Sequence, residues 1–156
     1  KHRVPTMGFI FKENPRRPKL DKTLIEKYEL SKEQIVKILG GEDIGIDENW
    51  FLAPRMPRSY AYISDTSYFP EILPQLNGIQ VLYHEATYDE DKRNLAEERF
   101  HSTSVDAARI AEGCSCTKLL LGHFSSRYHS TEPLAESAKT IFPNTECVHD
   151  GFVLEL

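Results

Sequence analysis

The residues of this chain that could do chemistry are histidines and carboxylates that follow short apolar segments. Asp65 comes after one such segment and His123 after another, while His2 lies near the start of the chain. Neutral imidazoles with one carboxylate suit Zn²⁺ or Mn²⁺, and one aspartate can bridge two ions with its two oxygens. His2, Asp65 and His123 are therefore candidate metal ligands. No close His-x-x-x-His spacing connects them, so three unrelated polar residues are the alternative interpretation.

A second candidate group combines Glu85, at the end of an apolar segment, with His101. Imidazole and carboxylate side chains provide proton transfer near neutral pH. If Glu85 holds His101, the two form an oriented acid–base pair. The alternative is that both residues cap or brace turns.

A third candidate group follows His123 and includes Ser125, Ser126 and Arg127. A planar guanidinium can bind a phosphate with two parallel hydrogen bonds, and nearby serine hydroxyls can add donors. These three residues are candidate phosphate ligands. In the alternative interpretation, Arg127 only pairs with an acidic neighbour.

The elements that must position these residues follow from the sequence pattern. Apolar residues predict strands over 59–63, 80–84 and 118–122, and the end of the chain over 147–148 and 152–156 also has a strand pattern. Helices are predicted between them, one of which begins at Thr103 with Asp106 three residues later. Alternating strands and helices indicate an α/β fold. Three of these strands end in polar residues: Asp65, His84-Glu85 and His123. Because ligands in open α/β sheets collect at strand ends, we expect these residues to share one edge.

The composition limits the classes of protein that fit. The chain has 156 residues, a formal net charge of −5 and 40% hydrophobic residues, which favours one compact core and excludes an intrinsically disordered chain. No apolar run approaches the roughly 20 residues that a membrane-spanning helix needs. Its three cysteines are an odd number, which predicts no disulfide framework and a reducing, cytoplasmic location. The first residue is Lys1 rather than Met, and we expect a piece of a longer protein.

Four short motifs occur in a characteristic order: Ser64-Asp65-Thr66, His84-Glu85-Ala86-Thr87, His101-Ser102-Thr103 and the segment over 122–128. In this combination the chain resembles the C-terminal half of ribonuclease Z, the tRNA 3′-processing endonuclease of the metallo-β-lactamase superfamily. Residues 2–9, 142–145 and 149–151 are also similar to segments of that family. The resemblance implies an α/β (α+β) fold that is the C-terminal half of an αββα sandwich. It implies one unit over 1–156, with an irregular and helical insertion over 12–58.

The resemblance also implies a role for each candidate residue. His2 and His123 match ligands of two zinc ions, and Asp65 matches the carboxylate that bridges them, with Mn²⁺ as the alternative metal. His101 is similar to the residue that protonates the leaving 3′-oxygen, with Glu85 supporting it, while Arg127 would hold a phosphate beside the cut together with Ser125 and Ser126. The implied reaction is attack of metal-activated water on a phosphodiester that joins a precursor tRNA to its 3′ trailer.

The chain also departs from the family pattern. The family's principal metal motif, His-x-His-x-Asp-His, does not occur in these 156 residues, and neither does its Gly/Pro-rich tRNA-binding arm. Both lie upstream in the family. We therefore expect these residues alone to bind metal weakly and to cleave nothing. The expected partners are precursor tRNA, the missing N-terminal half of the same domain and a second copy in a homodimer.

Two other functions stay open at this point. One is a different hydrolase of the same superfamily, acting on a small phosphodiester or a thioester. The other is a non-catalytic RNA-binding module. The two paired motifs around Glu85 and His101, together with Ser126 and Arg127, favour ribonuclease Z.

Overall fold

The structure is a computed structural model that describes residues 1–155. The longest α-helix has ten residues, and no helix in the described range is long and apolar enough to cross a bilayer. In chain order the elements are β1 (Phe9–Lys12), α1 (Lys22–Lys27), α2 (Lys32–Leu39), β2 (Ser59–Ile63), a 3-10 turn (Pro70–Ile72) leading into α3 (Leu73–Leu76), β3 (Val81–Glu85), a 3-10 turn (Glu90–Lys92) leading into α4 (Arg93–Arg99), α5 (Ser104–Gly113), β4 (Lys118–Gly122), α6 (Glu132–Lys139) and β5 (Thr145–Cys147).

Within the described residues, the five strands form one sheet in the order β1-β2-β3-β4-β5. Strand β1 pairs antiparallel with β2, and every other neighbouring pair is parallel. The predicted α/β class and the three predicted strands over 59–63, 80–84 and 118–122 are confirmed, with one-residue differences at the ends of β3. The carboxyl ends of β2, β3 and β4 therefore lie along the same edge of the sheet.

One face of the sheet is covered by helices. Side chains alternate along β2, and Ala61 and Ile63 point to the covered face with Leu82 and Leu121 of the next strands. Helices α5 and α6 pack on each other and on this side of the sheet. The remaining buried core comes mainly from small and branched residues of the helices: Leu76, Ile79, Ala107, Ala108, Ile110, Ala111, Leu134 and Ala138.

The opposite face, which we call the open face, is aromatic. Tyr62 and Tyr83 stack with ring centroids 4.6 Å apart, and Phe11 stacks on Tyr60 at 6.2 Å. Burial raises the pKa of Tyr83 to about 12. A cavity of about 460 Å³ lies on this face. Its lining includes Tyr60, Tyr62, Tyr83, Leu120, Phe152 and Leu154.

The predicted strand over 152–156 is wrong for the residues that the structure describes. Phe152 and Leu154 line the open-face cavity instead of pairing with a strand at the sheet edge. The Phe152 amide donates to the carbonyl of His149 at 3.0 Å, which closes a turn. The apolar alternation of this segment therefore reflects packing on the open face. Leu156 lies outside the described residues.

Residues Asn14–Pro57 form a compact unit of their own, and Lys1–Glu13 with the chain from Arg58 onward form the other. In the smaller unit, Asp21 caps α1 and Ser31 caps α2 with a capping box completed by Gln34. A bridge between Leu20 and Phe51 closes this unit. The predicted organisation, one metallo-β-lactamase-like unit with an insertion over 12–58, stays a prediction.

Candidate metal centre and acid–base pair

Three parallel strands deliver the candidate residues to one edge of the sheet. Glu85 is the last residue of β3, while Asp65 and His123 follow β2 and β4. Asp65 and His123 both have left-handed backbone, with φ of 51° and 58°. This conformation costs a non-glycine residue on the order of 1 kcal/mol, and such strain concentrates at functional sites. The left-handed residue turns the chain sharply after each of these two strands.

The three candidate metal ligands are brought together, and His101 lies among them. The Nε2 atom of His123 is 3.3 Å from Oδ1 of Asp65. Ligand atoms of His2, Asp65 and His101 lie within 4.8 Å of one another, and the same holds for Glu85, His101 and His123. The ring centroid of His101 is 5.0 Å from that of His2 and 5.4 Å from that of His123.

The hydrogen bonds of His2 and His101 indicate which ring nitrogen is available. The Nδ1 atom of His2 lies 2.8 Å from the carbonyl oxygen of Phe100, and Nδ1 of His101 lies 3.0 Å from Oε1 of Glu85. A carbonyl or carboxylate oxygen only accepts, so both Nδ1 atoms donate their N–H. In the neutral ring, Nε2 then keeps a lone pair, which is the form that binds zinc. The donor set therefore fits Zn²⁺ or Mn²⁺.

Glu85 is a fully buried carboxylate with four donors around it. It accepts from the Thr66 amide at 2.6 Å, the Thr87 hydroxyl at 2.6 Å and the Ser102 amide at 3.2 Å, in addition to His101. A buried carboxylate is stable only when it is satisfied in this way. Glu85 is therefore a fixed acceptor that orients the ring of His101.

His84 precedes Glu85 in the sequence but points into the core. It is buried, and its Nδ1 donates to the carbonyl of Glu85 at 2.7 Å. Desolvation lowers its pKa, which favours the neutral ring. His84 therefore packs inside the fold and does not join the cluster at the sheet edge.

The candidate phosphate ligands lie in the loop after β4. The Nε atom of Arg127 donates to Oγ of Ser125 at 3.0 Å, and its guanidinium lies 5.2 Å from the ring centroid of Tyr88. That Tyr88 ring is 6.3 Å from the ring of His101. Ser126 lies exposed in the same loop. The guanidinium of Arg127 and the ring of His101 therefore both lie close to the ring of Tyr88.

Sequence reasoning missed Thr87, Tyr88 and the Phe100 carbonyl. Thr87 is the last residue of the His-Glu-Ala-Thr motif, so its hydroxyl beside Glu85 was a usable signal. Phe100 has a φ of 60° and ends α4. A phenylalanine carries no sequence signal for this left-handed conformation.

The chain has relatives among curated proteins. No family model matches the chain. The chain is 36% identical to ribonuclease Z of Porphyromonas gingivalis, over 99% of this chain and 53% of that protein. It is 38% identical to ribonuclease Z of Cytophaga hutchinsonii, over 96% of this chain and 50% of that protein. The chain spans about half the length of the curated relatives it matches.

Two crystal structures share the fold. The metallo-β-lactamase fold protein YhfI from Bacillus subtilis matches with a TM-score of 0.57 and 26% identity, over 61% of this chain and 39% of that chain. The short form of human tRNase Z matches with a TM-score of 0.50 and 27% identity, over 63% of this chain and 33% of that chain. The chain therefore belongs to the ribonuclease Z family, within the metallo-β-lactamase fold.

Proposed function

We propose that the natural protein containing this chain is a metal-dependent endoribonuclease that removes the 3′ trailer from precursor tRNA. One observation carries the proposal: the oriented pair of His101 and Glu85 lies directly beside Asp65 and His123. This arrangement combines a proton donor with metal ligands at one strand edge. Relatives named ribonuclease Z and the short form of human tRNase Z support the tRNA substrate.

His2, Asp65 and His123 would hold the metal, with Asp65 shared between two ions in the intact protein. Asp65 suits this position because its ligand atom lies near both His2 and His123. Zinc is the preferred ion, since the donors are imidazole and carboxylate, and Mn²⁺ is the alternative. When bound, such ions supply Lewis-acid chemistry that activates water and stabilises charge on a phosphodiester.

His101 would donate a proton to the leaving 3′-oxygen. Its Nδ1–H is held by Glu85, so Nε2 is the ring nitrogen left to donate a proton. Donation from Nε2 requires the doubly protonated ring, whose Nδ1–H keeps Glu85 as its acceptor. The side chain of His101 is only 16% exposed, which keeps the ring in one orientation.

Arg127 would bind a phosphate next to the cut, with Ser125 and Ser126 as further donors. Its Nε atom is held by Ser125, which leaves the outer edge of the guanidinium directed away from that contact. The ring of Tyr88 supports the guanidinium through a cation–π contact. A supported guanidinium loses little freedom when it binds a phosphate.

The intact protein would complete the site from residues outside this chain. The curated relatives are about twice as long, and zinc needs about four ligands, or three with a water. We propose that the other half of the domain supplies the remaining ligands and that these 156 residues alone are inactive. We also propose a homodimer. The three free cysteines, Cys114, Cys116 and Cys147, favour a cytoplasmic location.

The test uses the full-length natural protein and a precursor tRNA labelled at its 3′ trailer. We expect cleavage at the trailer junction, loss of activity with a chelator, and recovery with Zn²⁺ or Mn²⁺. We expect His101→Asn to lower kcat by about 10²–10⁴-fold, because it removes the proton donor. His149→Gln is the matched control, since His149 is exposed and belongs to neither group of potential ligands.

Two results would overturn the proposal. One is faster turnover of a chromogenic phosphodiester than of precursor tRNA, which would indicate a small-molecule hydrolase. The other is RNA binding without any cleavage by the metal-loaded full-length protein.

A further inference from the structure

We propose that Thr87 is a positioning residue, whose hydroxyl transmits the fixed orientation of Glu85 to the ring of His123. The inference rests on the proposed function only in taking His123 as a metal ligand. One buried carboxylate would then orient two imidazoles, His101 directly and His123 through Thr87.

The hydroxyl of Thr87 has one proton and two close partners in the cluster. Its Oγ1 is 2.6 Å from Oε2 of Glu85 and 2.9 Å from Nδ1 of His123. The carboxylate oxygen can only accept, so at 2.6 Å the Thr87 proton must lie between the two oxygens. Oγ1 then accepts a hydrogen bond from Nδ1–H of His123.

The other neighbours of this hydroxyl agree with the assignment. The His123 carbonyl lies 3.0 Å from Oγ1, but donation to it would leave two oxygens 2.6 Å apart without a proton between them. Nδ1 of His101 is 3.3 Å from Oγ1 and closer to Glu85, at 3.0 Å. Each Nδ1–H therefore has its own acceptor.

The consequence for His123 is a defined tautomer. With Nδ1 protonated, Nε2 keeps its lone pair, and this atom is the one that lies 3.3 Å from Asp65. Side chains behind a ligand that orient it in this way are typically worth 10–100-fold in metal affinity. The side chain of His123 is 40% exposed, so burial alone does not fix its ring.

The backbone around Thr87 holds the hydroxyl in place. The Thr87 carbonyl accepts from the Ser125 amide at 3.0 Å, and the amide of Ala86 donates to Gly122 at 2.9 Å. Thr87 itself is 7% exposed. The position of Oγ1 is thus tied both to the end of β3 and to the loop that contains His123.

The experiment compares Thr87→Val, which keeps the shape but removes the hydroxyl, with Thr87→Ser, which keeps the hydroxyl. Both are made in the full-length natural protein. The first readout is ¹⁵N NMR of the histidine rings in the metal-free protein at about pH 8.5, where imidazoles are neutral. We expect His123 as the Nδ1–H tautomer in the wild type and in Thr87→Ser, and loss of that preference in Thr87→Val. His101 should keep its Nδ1–H tautomer in all three.

The second readout is Zn²⁺ affinity by calorimetry. We expect a loss of about 10–100-fold in Thr87→Val and little change in Thr87→Ser. The proposal is overturned if Thr87→Val keeps both the tautomer and the affinity. It is also overturned if wild-type His123 has its proton on Nε2. This second test uses the wild-type protein only, so it does not depend on whether a variant folds. Neither readout uses RNA. If the tautomer and the Zn²⁺ affinity behave as expected but the protein does not cleave precursor tRNA, the proposed function is refuted and the role of Thr87 is not.

Discussion

Each of the three histidines at the strand edge has a different acceptor at Nδ1. His2 uses a backbone carbonyl, His101 a buried carboxylate and His123 a threonine hydroxyl. The hydrogen bond to the carboxylate is charge-assisted and therefore the strongest of the three, and the two neutral acceptors only fix a tautomer. This difference favours proton transfer at His101 and metal ligation at His2 and His123.

We predict weak zinc binding by residues 1–156 alone. His101 belongs to both groups of three potential ligands but can serve only one ion, and Glu85 is already saturated with donors. Isothermal titration with Zn²⁺ should therefore give far less than the roughly 10–16 kcal/mol of structural zinc sites. Asp65→Asn should abolish what binding remains, whereas His149→Gln should leave it unchanged. Tight binding of two ions to these residues would contradict the prediction.

Residue types and motif order were sufficient to select the candidate residues, because all except His2 follow a predicted strand or belong to one of the four short motifs. Their acceptors were harder to predict. The Phe100 carbonyl reaches His2 only because Phe100 adopts a left-handed conformation, which its side chain does not favour. The link from Glu85 to His123 passes through Thr87 and depends on how two strand ends are placed side by side.

Among the elements, α5 shows how a local signal can be read from sequence. The predicted cap at Thr103 is confirmed as a capping box with Asp106. Strand β1 was not predicted, because all four of its residues are exposed and no alternation marks a buried side. It is an edge strand that pairs only with β2 within the described residues. Such strands lack the burial pattern on which sequence prediction depends.

We predict that the start of α5 is stabilised by a single buried carboxylate. Asp106 accepts from the Thr103 amide at 3.1 Å and from Nη2 of Arg93 at 2.8 Å, and its side chain is 3% exposed. Asp106→Asn should lower the free energy of unfolding by about 2 kcal/mol, because the amide nitrogen replaces one of the two accepting oxygens and the negative charge beside Arg93 is lost.

Urea denaturation measures this change. Glu97→Gln is the matched control, since Glu97 lies 3.8 Å from the same arginine but is 67% exposed. It should change stability by no more than about 0.5 kcal/mol. Equal effects from the two variants would show that the cap does not stabilise the helix.

For the whole molecule, the two faces of the sheet have opposite surroundings. One face is packed against α5 and α6, and the open face presents stacked tyrosines and the exposed rings of Phe9 and Phe11. Alternation within strands predicts two faces, but it cannot tell whether the second is covered by helices, by another sheet or by solvent. What covers the open face depends on the residues that pack against it.

We predict that residues 1–156 alone associate through the open face and its edge strand. Phe9 and Phe11 are 49% and 59% exposed, and contiguous apolar surface beside an edge strand promotes association. Sedimentation over a range of concentrations should give a mass above the 17.9 kDa of one chain. Phe11→Ser should weaken this association, because it removes an aromatic ring from the face.

The control for association is Val36→Ser, which removes an apolar side chain that is 67% exposed in the unit Asn14–Pro57. It should leave the association constant unchanged, since Val36 lies outside the sheet. If the other half of the domain covers the open face in the intact protein, adding that half in trans should replace self-association with a one-to-one complex. A stable monomer at all concentrations, with no binding of the added half, would contradict the prediction. It would mean that the open face is stable when exposed to solvent.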